Sequence, residues 1–252
     1  MTRRDRLIVL AAIAAATVLA WAWIAPMARD MYGDMNGPSA WMMPAEWDTR
    51  HLSLLVAMWV VMMAGMMLPS ATPVMLLFAG AARHNQPSRA TVLISTFAAG
   101  YLVVWAGFSI VAALLQRALT EAVILTPMME PATDRAASAV IALAGLYQLT
   151  PFKRACLTLC QSPAAFVTKH WRPGAAGAFR MGLVHGAHCL GCCWALMLLL
   201  FAGGVMHLPT ILMLTILVLV EKLLPPGRAT SWFTWLTGSA LLALAVWTIR
   251  RT

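Results

Sequence analysis

Charge is what this sequence has least of. Lys, Arg, Asp and Glu make up 11% of its 252 residues, and only nine of those are acids. That is far below the balance of a soluble domain, and it excludes one as the setting for the chain. Low-complexity tracts and an internal repeat period are also missing, so residues 1–252 read as a single integral domain. There is no run of basic residues interleaved with aromatics, so the net charge of +9 does not describe a nucleic-acid surface. Neither a phosphate-binding P-loop nor an aspartyl-phosphate motif is present, which excludes pumping driven by the chain's own nucleotide hydrolysis.

What fills the space is hydrophobic sequence, 61% of the residues. Apolar runs long enough to cross a bilayer core of ~30 Å recur along the chain. The expected fold class is therefore all-α, a polytopic transmembrane helix bundle of about seven spans. These cover residues 7–25, 52–81, 91–115, 136–151, 179–203, 207–224 and 231–249. TRRDR followed by LIVLAAIAAATVLAWAW reads as a retained anchor. A cleaved signal ending near Ala20–Ala22 is the alternative, and it would leave six spans. With the N-terminus cytoplasmic, twelve of the eighteen Lys and Arg fall inside, Lys153 and Lys222 among them. This fits the positive-inside pattern of a multi-pass protein of the bacterial inner membrane. Residues 26–51 then form an outer loop and 152–178 an inner interfacial loop, with an interfacial helix continuing past Pro151.

Sulfur and imidazole are concentrated rather than scattered. In VHGAHCLGCCWALM, with His185 set at zero on a helical wheel, Cys189 lies at about 40°, Cys192 near −20°, His188 near −60° and Cys193 near 80°. Five potential metal ligands thus share one face of the fifth span, close to mid-membrane depth. Free cysteine is also an ordinary small buried residue, but intramembrane histidine is costly and tends to mark a function. In the second span, MWVVMMAGMMLPSATP, Met58, Met62 and Met66 follow i, i+4, i+8 spacing, with Gly65 leaving room beside them and Met63 and Met67 directed elsewhere. The outer loop adds Met27, Met31 and Met35, interleaved with Asp30 and Asp34, and then Met42 and Met43, as a capture surface for a soft cation. CLTLC places Cys156 and Cys160 at i, i+4 near the inner face, beside Lys153 and Arg154. Glu221 and Lys222 close the sixth span. They read as residues snorkelling to the inner interface, or in the case of Glu221 as a buried group that balances a cation.

On these residues the chain resembles the bacterial family of predicted metal-binding integral membrane proteins, a domain of unknown function. The matching elements are MWVVMMAGMMLPSATP, YQLTPFKRACLTLCQSP, HWRPG, GLVHGAHCLGCCWALM, GGVM and EKLLPPG, between about residues 58 and 228. The resemblance implies metal binding. It points to Met62, Met63, Met66, Met67, Pro69, Cys156, Cys160, His185, Cys189, Cys192, Cys193 and Glu221.

Thiolate and thioether ligands suit Cu(I), and Cys with His also suits zinc. The expected metal set is His185, His188, Cys189, Cys192, Cys193, Met58, Met62, Met66, Cys156, Cys160 and Glu221, with no catalytic residue. His185 with Cys189 and Cys192 would hold copper, and Met62 or Met66 would form the opposite wall. The function expected is binding a soft metal for transport or delivery, with the bilayer, the ion and a periplasmic donor or metalloenzyme assembly as partners. Two alternatives stand beside it. One is an enzyme-like thiol–disulfide or electron carrier, although Cys189-Leu-Gly-Cys192 lacks the soluble redox-domain context of C-x-x-C. The other is an assembly partner whose cysteines only pack.

Overall fold

The computed structural model describes residues 2–33, 47–126 and 128–250. Apart from a 3₁₀ turn at Pro87–Arg89 and one isolated β-bridge between Leu125 and Pro131, the regular structure of these residues is α-helical. The helices are α1 (Arg3–Met31), α2 (Thr49–Asn85), α3 (Ala90–Glu121), α4 (Asp134–Gln148), α5 (Pro151–Gln161), α6 (Pro163–His170), α7 (Gly174–Gly203), α8 (Leu208–Leu223) and α9 (Arg228–Arg250).

Five of these, α1, α2, α3 with the turn before it, α7 and α9, are long and apolar enough to cross a membrane. The expectation of about seven spans needs correcting at the fourth and sixth. They fold as α4 and α8, of 15 and 16 residues. Such helices are ~22–24 Å long at 1.5 Å per residue, short of a ~30 Å core. The break after α4 has a local cause. Pro151 takes the first position of α5, and its neighbour Thr150 adopts the extended backbone that a following proline favours. The Thr150 side chain then caps α5 by accepting from the Lys153 amide at 3.2 Å.

Pro26, Pro69 and Pro73 end nothing, because each lies inside a continuous helix. Met27 and Met31 therefore sit buried in α1 rather than in an exposed outer loop. Met35, Met42 and Met43, the remainder of the expected capture surface, lie outside the described residues.

α7 is the hub, packing on α3, α4, α5 and α8. Its contact with α3 is the most extensive between two of the described helices, and two glycines bring the backbones close. A Cβ on Gly182 would come within 2.1 Å of the Phe97 carbonyl oxygen, and one on Gly100 within 2.3 Å of that of Phe179. Backbones approach this closely only where side chains are absent, the small-residue device of helix packing in lipid. On α2, Gly65 opens space not for the methionines but for α1, where its Cβ would meet Ala20 at 3.0 Å.

The distribution of polarity is the reverse of a water-soluble bundle. Val18, Leu19, Ile216, Trp232 and Leu236 are exposed, while Gln116, Gln148, Lys153, Glu221 and Lys222 are buried.

Candidate functional site

The cysteines of α7 are held in the core, and α5 joins them there. Cys192 and Cys193 turn their thiols back to donate to the Cys189 carbonyl oxygen at 3.0 and 2.9 Å. From α5, buried Cys160 comes within reach of Cys192, and Cys193 lies close to both Cys192 and Cys189. Four sulfurs thus follow one another from Cys160 to Cys189. Cys156, half-buried, lies against the same segment, its sulfur 2.9 Å from where a Cβ on Gly191 would stand. Tyr147 of α4 adds a hydroxyl that donates to the Gly191 carbonyl. The expected inner-face cysteine pair is corrected accordingly. Cys156 and Cys160 form no separate station, because the break before Pro151 lets α5 fold inward onto the middle of α7.

Cys189 is the most elaborately partnered of the five. The Lys222 ammonium donates to its sulfur at 2.8 Å and to Ser70 Oγ at 3.1 Å. The Tyr101 hydroxyl donates to the Met67 carbonyl oxygen at 3.1 Å and stands 3.1 Å from Cys189 Sγ. Ser70 donates to the same carbonyl at 2.8 Å. α2, α3, α7 and α8 therefore meet at one sulfur.

A second buried charge pair lies alongside. Lys153, fully buried, reaches Glu221 Oε2 at 2.7 Å, and Gln148 donates to Oε1 at 2.9 Å. Gln161 donates to the Glu221 carbonyl oxygen at 2.6 Å, closing α5 onto α8. Glu221 is the buried acid of the two readings, not a residue snorkelling to the interface. Of the twelve basic residues assigned to the inner side, Lys153 and Lys222 are core residues instead, leaving ten against six outside. Adjacency in sequence keeps Glu221 and Lys222 apart, and each finds its partner on another helix.

The histidines have neighbours different from those of the thiols. His185 is buried among aromatic rings, 5.6 Å from Tyr101, 5.1 Å from Phe166 and 6.2 Å from Phe97 between centroids. Its Nδ1 has no hydrogen-bond partner among the described residues. His188 is half-buried and faces His170 of α6. One helical face of roughly 140° is wide enough for different neighbours to claim its two sides.

Met58, Met62 and Met66 are buried in the same core, as are Met63 and Met67, so the whole ladder is enclosed rather than one face of it. α2 runs antiparallel to α7, with Trp59 against Phe201 and Met67 and Ser70 linked to Cys189. This register puts Met66 near the level of Cys193. The hydrogen bonds that link α2 to the groups around Cys189 run through the Met67 carbonyl and Ser70. Among the described residues, no three His, Cys, Asp or Glu side chains close around a single point. The donor set is a chain of soft sulfurs with buried cations beside it, chemistry that suits a soft, singly charged ion better than a hard one.

Sequence reasoning passed over Tyr101, Ser70, Gln148, the pairing of Lys153 with Glu221 and the sulfur-facing role of Lys222. The available signal was polarity inside an apolar run, since a lone Tyr, Gln or Lys in such a setting must find a partner.

Residues 56–248 match the family PpoB2, described as copper chaperone. The metal-related part of the expected resemblance agrees with that description. No curated protein and no solved structure matches the chain.

Proposed function

The chain belongs to the PpoB2 copper chaperone family, and from that premise we propose that it is a multi-pass inner-membrane protein that binds Cu(I) and delivers it. The observation that carries this reading is the run of four buried thiols, Cys160, Cys192, Cys193 and Cys189, with a single ammonium against the last. Thiolates prefer Cu(I). A site among apolar helices holds that ion away from water, and a chaperone must later give it up. Met58, Met62 and Met66 supply a thioether-lined approach at the same depth, where copper is cargo rather than a fixed cofactor.

Lys222 has a definite part in this reading. Its ammonium occupies the flank of Cys189 that a cation would take, so loading exchanges one positive charge for another. The Lys153–Glu221 pair holds α5, and with it Cys160, against α8. The apolar exterior of α1, α8 and α9 favours a bilayer setting. With the N-terminus cytoplasmic, uptake is from a periplasmic donor, or delivery is to a metalloenzyme being assembled.

The deciding experiment compares the metal content and X-ray absorption edge of detergent-purified wild type and Cys189→Ser/Cys192→Ser. Cu(I) with sulfur neighbours in the wild type, and loss of those sulfur neighbours in the variant, is the expected result. Zinc in its place would remove the copper assignment. A metal-free protein whose thiols cycle through a disulfide would replace delivery with redox chemistry.

A further inference from the structure

Beside the thiols, a second group of donors gathers where α6 runs against α7. His170 stacks on Phe166 with centroids 4.9 Å apart, and its Nδ1 lies 3.1 Å from the Phe166 carbonyl oxygen. A carbonyl only accepts, so Nδ1 carries the proton and Nε2 keeps its lone pair. Histidines that ligate metals are commonly oriented by this kind of anchor. Across from it stands His188, its ring centroid 6.3 Å away and its plane turned by 82°. With metal–nitrogen bonds of ~2.0 Å and ring nitrogens ~1.1 Å from the centroid, an ion held linearly between two imidazoles separates the centroids by about 6.2 Å.

We infer that His170 and His188 form a second, two-coordinate site for a soft monovalent cation on the flank of the cysteine chain. The identity of the cation as Cu(I) rests on the function proposed above. Three further observations support the assignment. Both imidazoles are half-buried, open enough to exchange an ion and enclosed enough to orient it. Arg172 and Arg180 line the small cavity that His170 borders. Two guanidiniums there disfavour a divalent ion more than a monovalent one and keep the site weak, as a release site must be. Finally, His185 lies one turn before His188 on α7, 3% exposed, with an unpartnered Nδ1, and within electrostatic reach of both His188 and Cys192. A buried imidazole nitrogen without a partner is costly, and here it stands between the two donor sets.

The test uses full-length protein in detergent, titrated anaerobically with Cu(I) against a colorimetric Cu(I) chelator. Wild type is expected to take two ions. His170→Ala and His188→Ala should each take one, bound by sulfur. Cys189→Ser/Cys192→Ser should keep one ion with nitrogen neighbours only in X-ray absorption. Adding His170→Ala to that background should remove it. A His170→Ala protein that still takes two ions overturns the inference, as does a folded cysteine variant that binds no copper. As a measurement without substitution, Ag(I) should protect His170 and His188 of wild type from carbethoxylation, read by mass spectrometry, and equal labelling with and without Ag(I) also overturns it. Copper on the histidines with none on the cysteines would instead count against the function proposed for the cysteine site.

Discussion

α2 and α7 carry sulfur at the same depth, yet the two helices treat it differently. On α7 each thiol has a named polar neighbour: an ammonium, a tyrosine hydroxyl, another thiol or a backbone carbonyl. On α2 the thioethers Met58, Met62 and Met66 are enclosed in the apolar core, and the polar links to the partners of Cys189 run through the backbone oxygen of Met67 and the hydroxyl of Ser70. Sulfur alone therefore does not define a site here. The thiols come with buried charges that have no reason to be there except the thiols and each other, whereas methionine of this kind also serves as adaptable filling.

Four substitutions probe that contrast. The largest effect is expected from Glu221→Gln, which leaves the Lys153 ammonium buried without its anion. Breaking such a pair costs about 3–5 kcal/mol, and replacing both partners by apolar residues of similar volume recovers most of it. Unfolding in detergent of Glu221→Gln beside Lys153→Met/Glu221→Leu measures both. Next, Cys189→Ser is expected to weaken Cu(I) binding by about 100-fold or more, read by competition with a chelator. Tyr101→Phe removes one hydroxyl from Cys189 and from the Met67 carbonyl. It should cost about 1 kcal/mol of stability and at least about tenfold in copper affinity, measured on one preparation. The smallest change is expected from Met62→Leu/Met66→Leu, a volume-conserving swap costing under about 1.5 kcal/mol. Copper affinity falling further in this variant than in Cys189→Ser would reverse the comparison and make the thioethers the principal ligands.

Much of the helical content and the cysteine core was readable from hydropathy and spacing, since both are local patterns. The positions of Cys189, Cys192 and Cys193 on one buried face follow from helical geometry, and the structure keeps them there. What escaped depends on breaks and on distant partners. The stretch from Pro151 to Gln161 is too polar on average to register as membrane sequence, and a two-residue interruption at Leu149 and Thr150 decides that Cys160 meets Cys192. Lys222 looks like a residue at a helix end, because nothing in EKLLPPG announces a sulfur 33 positions earlier in the chain. His185 was placed correctly on its helix face. Its neighbours Phe97, Tyr101 and Phe166 come from two other helices, and no pattern within the α7 sequence names them.

The parts of the cysteine site are spread from Met67 to Lys222, across α2, α3, α5, α7 and α8. A chain made from its N-terminus onward has no such site for most of its synthesis, and the last component arrives only as α8 emerges. Before then Cys189 lacks its ammonium, and Cys160 lacks the Glu221 tether that holds its helix in place. On the function proposed for the cysteine site, capture of a reactive ion is thereby tied to completion of the fold, so that a half-made or truncated copy would be a poor sink for copper in the cell.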